Sequence, residues 1–468
     1  MIRHLLLILV LIYNHALSQN TYAIRDVSVI SMTREGVIPN QTVIIEKGRI
    51  TQIGSASKVK IPQGVSTIDG RNKFLMPGLI DMHTHFFQEQ GSHRNTNEAE
   101  LKLMLASGLT SARIMAGHPD YLKARENVKD GRWIGPDLMI VSPQFVGRWP
   151  WDTSFKHYEV ATTASEAQEA VARFKNEGYD EIKITFMVSR EVFDAINDKA
   201  KEIGIKVTGH IGPQTKLPAA LNKRQQIEHM DEFIDMLLPD TTYNHGQSVS
   251  DMNIWRPKAW ATVPFLEESR IPALVKMVKD AGIAVTPTNY FFFSSFGDGM
   301  TDEEYKQKAD YQYIPEDLKK ERWEGKERFW KNPPPAESRK KYVALRKKIT
   351  LELWKAGVPL MAGSDSPEWF LVQGMAIHNE LETFVKAGIS PFGALQTATT
   401  NPVKYLGQEK DKGTVEVGKR ADLLLLHKNP LEDIRNSKLI AAVFKNGVYF
   451  DSDRIETLKK EAKATLNP

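Results

Sequence analysis

Residues 163–184 read TASEAQEAVARFKNEGYDEIKI. Thr163 followed three positions later by Glu166 is the signature of a capping box, in which each residue satisfies a backbone N–H left unpaired at a helix start. Ala167, Ala170, Val171 and Phe174 recur at helical spacing and make one apolar stripe. Gly178 supplies the stop, and Ile182-Lys183-Ile184 is then a short strand. The next stretch repeats the order: Ser189 opens a helix carrying Val192, Phe193, Ile196, Ala200 and Ile203, Gly204 closes it, and Ile205 to His210 is a strand. Two further units, Ala273 to Thr286 and Tyr342 to Gly363, follow the same grammar with Gly282 and Gly357 as stops. Helix and strand in alternation call for a parallel sheet. The expected class is α/β, a distorted (β/α)8 TIM-like barrel, over residues 76–406.

On either side the pattern becomes β-like. Thr42 to Ile45, Lys47 to Ile50 and Val65 to Ile68 are short runs separated by turns, and downstream Asp422 to Leu426 and Ala441 to Phe444 precede the hairpin pair Asn446-Gly447. The two ends, 19–75 and 407–468, are expected to build one composite β-sandwich domain. Two stretches, about 239–269 and 290–338, fit no βα unit. The second is aromatic-rich and carries Pro333-Pro334-Pro335, which leaves a lid and a solvated extension as equal readings. At the start, Arg3 and His4, the apolar run Leu5 to Ile12 and Ala16-Leu17-Ser18 read as an export signal over 1–18, so the expected location is periplasmic or secreted. That run is far short of the ~20 residues that span a bilayer, and no membrane span is expected.

Composition narrows the chemistry. The chain has 468 residues with 41% hydrophobic and 26% charged, which suits a globular protein. A net charge of +4 without a basic run excludes nucleic acid as an expected partner. The absence of cysteine removes disulfides, thiolate ligands and cysteine nucleophiles together. Any metal must therefore sit on histidine, carboxylate or something rarer.

The sharpest local signal is Met76-Pro77-Gly78-Leu79-Ile80-Asp81-Met82-His83-Thr84-His85. Side chains alternate faces on a strand, so His83 and His85 point to one side, close enough for two imidazoles to grip one cation. Lys183 lies between Ile182 and Ile184 and is expected to point into the barrel, where a lone ammonium must pair, lose its proton or be modified. His210, His229 and Asp365 each close an apolar run. Singly each has a plainer reading: a core histidine, an ion-paired lysine or a helix cap.

These motifs, with Ile-Lys-Ile, Gly-His, Ile-Glu-His, Thr-Pro-Thr, Gly-Ser-Asp and Gly418-Lys419-Arg420-Ala421-Asp422-Leu423, resemble the amidohydrolase superfamily. Within it the chain is similar to exported prolidase-like and imidazolonepropionase-like proteins. The resemblance implies two divalent metals, zinc first, with His83, His85 and Asp365 on one, His210 and His229 on the other, and Lys183 bridging them as an N6-carboxylate. It further implies that Asp365 acts as general acid and base in hydrolysis of an amide, dipeptide or acylated amino acid. Departures concern the substrate pocket. Arg113 is followed by Ile114 where relatives often have Arg-Asp, and Val146-Gly147-Arg148-Trp149-Pro150-Trp151 replaces a common Gly-Gly-His loop. Arg113, His118, Trp149 and Trp151 are the candidate substrate residues. His378, ahead of Leu381, Phe384 and Val385, reads as a helix-surface residue. The alternatives are a mononuclear enzyme of imidazolonepropionase or deaminase type and a non-catalytic scaffold; a homo-oligomer is open.

Overall fold

The capping box forms as expected: Glu166 N–H donates to Thr163 Oγ1 at 3.3 Å and Thr163 N–H donates to the Glu166 carboxylate at 3.1 Å. The helix Ala164–Glu177 then runs to Gly178, whose left-handed φ of 94° ends it. This computed structural model describes residues 21–89, 95–147, 156–185, 187–230, 232–239, 257–296 and 301–468. The proposed export signal 1–18, His93, Trp149, Trp151, His245 and most of the first interruption lie outside the described residues.

Five strands come first: β1 (Tyr22–Val29), β2 (Ile38–Glu46), β3 (Arg49–Ser55), β4 (Ser66–Asp69) and β5 (Phe74–Pro77). Nine follow in the α/β region: β6 (Leu79–Thr84), β7 (Leu109–Ile114), β8 (Asp137–Ile140), β9 (Gln144–Val146), β10 (Tyr158–Val160), β11 (Glu181–Ile184), β12 (Lys206–Gly209), β13 (Gln226–Glu228) and β14 (Val285–Thr286). The last three are β15 (Leu423–Leu426), β16 (Ile440–Lys445) and β17 (Val448–Phe450). One parallel sheet has the order β6-β7-β8, and a second has the order β10-β9-β11-β12-β13-β14. Single parallel bridges join them onward: Val141 to Glu181, Val285 to Leu360, and Thr84 to Ser366.

Both chain ends meet in one eight-stranded sheet of order β17-β16-β15-β5-β1-β2-β3, with β4 on β1. The leucine run of β15 explains itself there. Successive side chains face opposite ways, so Leu424 and Leu426 join the core of the α/β region while Leu423 and Leu425 join a separate core with Ile24, Val43, Ile45 and Phe444. A strand buried on both faces has no use for alternation.

One expectation needs correction. The stretch 407–468 is not wholly β, because Asp451 caps a helix Ser452–Leu466 by accepting from Arg454 N–H. Its buried stripe is Ile455, Leu458, Ala462 and Leu466, and the last two pack with Ala99, Leu103, Tyr313 and Phe370. The cap and the helical spacing are both present in the tail, masked by the β-rich stretch before it. Among the described residues no helix is long and apolar enough to cross a membrane.

Because Leu424 is fully enclosed, Leu424→Ala should cost about 2–5 kcal/mol of unfolding free energy in urea titration. The side chain of Val417 is exposed. By the same measurement Val417→Ala should stay within about 0.5 kcal/mol of wild type.

Candidate metal centre

Strand β6 ends at the centre. His83 and, just past the strand, His85 leave on the same side, with ring centroids 5.1 Å apart. Asp365 directly precedes Ser366, which bridges to Thr84, and its Oδ1 lies 3.3 Å from His83 Nε2 and 3.4 Å from His85 Nε2. Ligand atoms of His83, His85 and Asp365 all fall within 4.8 Å of one another, a spacing that can hold one ion. His229 follows β13; its ring centroid is 4.5 Å from that of His83 and its Nδ1 is 3.6 Å from Asp365 Oδ2. His210 follows β12 and stacks on His229 at 4.6 Å and 17°. Lys183, on β11 opposite Thr208, is 1% exposed, and among the described residues its Nζ has no hydrogen-bond partner. Burial pushes its pKa down, opposed by the charges of Glu228 and Asp365. The same lysine acts electrostatically on His83.

A ring nitrogen of His83, His85 and His229 is held in place. His83 Nδ1 donates to Glu228 at 2.6 Å, and the other oxygen of Glu228 accepts from Arg113 at 2.6 Å and from Thr208 at 2.7 Å. His85 Nδ1 donates to Glu89 at 2.5 Å, while Gln144 donates to the far oxygen of Glu89 at 2.8 Å. His229 Nδ1 pairs with Thr288 Oγ1 at 2.8 Å. A carboxylate behind an imidazole fixes its tautomer and raises its basicity, which is the usual support of a metal ligand. Three residues of the centre have left-handed backbone: His229, Thr288 and Asp365 have φ of 58°, 46° and 55°, values uncommon outside glycine. Gly209 lets β12 approach β11, since a Cβ there would stand 2.1 Å from the Ile184 carbonyl, the group that accepts from His210 N–H.

The donor set suits a divalent cation. Burial lowers the pKa of His83 and His229, which keeps both imidazoles neutral and able to coordinate. Among the described residues the buried amine of Lys183 has no hydrogen-bond partner, and histidine nitrogen with carboxylate oxygen is a donor set that divalent cations accept.

A family model described as the amidohydrolase family matches residues 74–449. The chain belongs to that family. It is 36% identical over 84 residues to a dihydroorotase of Carboxydothermus hydrogenoformans, covering 18% of this chain and 19% of that protein. It is 40% identical over 65 residues to an imidazolonepropionase of Idiomarina loihiensis, covering 13% and 16%. The matches therefore span under a fifth of these curated relatives. Solved structures agree over nearly the whole chain: a bottromycin amidohydrolase at TM-score 0.71 and 20% identity covers 96% of this chain and 92% of its own. A Xaa-Pro dipeptidase with bound methionine reaches 0.64 at 19% identity, covering 92% and 100%. These likenesses establish a TIM-barrel-like α/β fold.

Two candidate substrate residues of this amidohydrolase are spent otherwise. Arg113 is fully buried, and its guanidinium donates to Met82 O, Glu181, Gln226 and Glu228. It positions Glu228 instead of facing a substrate. His118 caps the helix Pro119–Lys129, its Nδ1 accepting from Asp120 N–H, and stacks on His157 at 4.7 Å. His378 is a core residue, not a surface one, held by Ser437 Oγ and the Ser107 carbonyl, both at 2.9 Å. Sequence reasoning passes over Glu89 and Glu228. Neither carries a signal of its own in the sequence: Glu89 lies four residues past His85, and the burial of Glu228 throughout its strand is seen only in the fold.

Glu228→Gln should weaken metal binding roughly 10–100-fold in equilibrium dialysis, because it removes the carboxylate behind His83. An unchanged affinity would show that His83 needs no such support.

Proposed function

We propose that this chain is an exported metal-dependent hydrolase that cleaves the C–N bond of a small amide, dipeptide or acylated amino acid. Its parallel strands are read as a closed ring of eight, supported by the Thr84–Ser366 and Val285–Leu360 bridges, and its terminal sheet as part of a β-sandwich around the core of Ile24, Val43 and Leu423. The observation that carries the reading is Lys183: an enclosed amine without a hydrogen-bond partner among the described residues, within electrostatic reach of His83, His229 and Asp365.

A buried amine is most readily kept as the neutral base, and the neutral base can add CO2. The nitrogen lone pair attacks the carbon, one proton leaves, and the product is an anionic two-oxygen group where a cation had no partner. In this reading His83, His85 and Asp365 would hold one divalent cation and His210 and His229 a second, with N6-carboxylated Lys183 as a further ligand. Bound there, the cations would polarise the scissile carbonyl and make water acidic enough to attack near neutral pH. Asp365 receives the water proton on its carboxylate and returns it to the leaving nitrogen. Glu228 and Glu89 keep the rings of His83 and His85 from rotating. Zinc is the favoured cation on this donor set.

The compactness of the His83, His85 and Asp365 trio favours a second reading, a mononuclear enzyme acting on an imidazolone ring or an amidine. Metal stoichiometry and peptide mass decide. The binuclear reading expects close to two ions per chain, a CO2 adduct on Lys183, and hydrolysis within a panel of N-acyl amino acids and dipeptides. Lys183→Ala should then lose most bound metal and at least roughly 100-fold in kcat/KM, since several kcal/mol of charge stabilisation go with it. One ion and a free amine would turn the assignment to the mononuclear enzyme. Full metal loading with no hydrolysis of any amide would end the hydrolase reading.

A further inference from the structure

Glu100 lies on the helix Asn97–Ala106 and is fully buried. Three donors converge on its carboxyl group. Thr96 Oγ1 donates to Oε1 at 2.6 Å, while Phe87 N–H and Gln373 Nε2 each donate to Oε2 at 2.8 Å. The same Gln373 nitrogen donates to the His85 carbonyl at 3.1 Å. The segment between His85 and Glu89 is therefore held at two points: the carbonyl of the candidate ligand, and the amide two residues on. Glu89 at its far end is the carboxylate behind the His85 ring, and Glu89 N–H closes the turn on the Phe86 carbonyl at 3.1 Å. Gln373 belongs to the stretch that follows Asp365, and His85 N–H donates to the Ser366 carbonyl at 2.7 Å. One carboxyl group thus links the chain leaving His85 to the chain leaving Asp365.

A carboxyl group is costly there, because burial disfavours its charged form and pushes the pKa of Glu100 up to about 7. The charge of Arg322 opposes that rise only in part. An apolar side chain would avoid the cost but leave the Phe87 N–H enclosed and unmet. The hydrogen-bond pattern itself does not need the charge. In the neutral acid one oxygen still accepts from Phe87 and Gln373, and the other, now a hydroxyl, donates to a turned Thr96 hydroxyl. What the position requires is one oxygen that accepts twice, at a fixed place. Groups standing behind metal ligands set the orientation of those ligands. We propose that Glu100 is a positioning residue of the candidate metal centre: through Phe87 and Gln373 it fixes the His85–Glu89 segment, and with it the His85 imidazole, against Asp365. This rests on the metal-centre reading for its consequence but not for the clamp.

The test uses the full chain and three variants. Glu100→Gln keeps an oxygen for Phe87 and Gln373 and turns its NH2 to Thr96, whereas Glu100→Ala removes the acceptor. Gln373→Leu removes the second arm and spares Phe87, which keeps the test open should Glu100→Ala fail to fold. Hydrogen exchange of the metal-free protein, read by mass spectrometry on peptides that include residues 85–89, reports the clamp. Exchange there should rise roughly 10-fold in Glu100→Ala and stay at the wild-type rate in Glu100→Gln. Zinc affinity, measured by competition with a chelator, should fall roughly 10-fold in Glu100→Ala, fall in the same direction in Gln373→Leu, and be kept in Glu100→Gln. Faster exchange or a lower Tm with unchanged zinc affinity would mark Glu100 as scaffold and overturn the proposal. A Glu100→Gln chain as weak for zinc as Glu100→Ala would overturn it too, since the charge and not the hydrogen bonds would then be at work. Should wild type take up no zinc, the metal-centre reading falls by itself, and the exchange rates alone decide whether Glu100 holds the segment.

Discussion

A buried arginine grips a buried carboxylate, and that carboxylate grips a histidine. Arg113 on β7, Glu228 on β13 and His83 on β6 form this line, and Glu181 on β11 completes the pairing of Arg113 at 2.8 Å. Charges taken out of water are tolerable only when their donors and acceptors are met, and here the guanidinium also reaches Gln226 and the Met82 carbonyl. Strands that are distant in sequence are therefore tied through one cation. A register slip in any of them would strand a charge in the interior, which makes the layout of the centre and the layout of the strands the same constraint.

Behind His229 the same logic runs through backbone. Arg346 donates to the His229 carbonyl at 3.0 Å and to the Pro287 carbonyl at 2.7 Å, and its guanidinium lies 3.8 Å from the centroid of Phe292. Glu380 accepts from the N–H groups of Asn289 and Tyr290 at 2.9 and 2.6 Å. Between these anchors sits Thr288, left-handed and paired with the ring of His229. A strained conformation persists only where its surroundings over-determine it. The helices Ala336–Lys355 and Ala376–Lys386 supply that surplus from outside the strands.

How far the sequence can be read follows from which features leave a periodic trace. Helix caps at Thr163 and Ser189 and stops at Gly178 and Gly204 are local, and the structure repeats them residue for residue. His83 and His85 are legible because a period of two is a geometric statement by itself. Glu89 and Glu228 leave no such trace, since a lone carboxylate gains meaning only from what folds beside it. His378 misleads for a related reason: the stripe beside it shows one face of the helix Ala376–Lys386, and the contacts with Ser107 and Ser437 come from far along the chain. Arg113 is visible but draws the wrong role, because its partners are scattered over more than a hundred residues.

In sequence the aromatic interruption is balanced between lid and solvated extension, and its packing moves the balance. Trp323 stacks on Phe370 at 4.4 Å, and Tyr305 lies 5.0 Å from the same ring. Tyr305, Tyr313 and Leu318 share a core with Phe87, Phe370 and the C-terminal Leu466. A solvated extension would not bury such residues together. The interruption is instead a fixed wall against the two segments that carry His85 and Asp365 onward. A wall held by a shared core resists displacement as long as that core is intact. Loosening the C-terminal helix would then disturb this wall before it disturbed the histidines, which are held from the strands below.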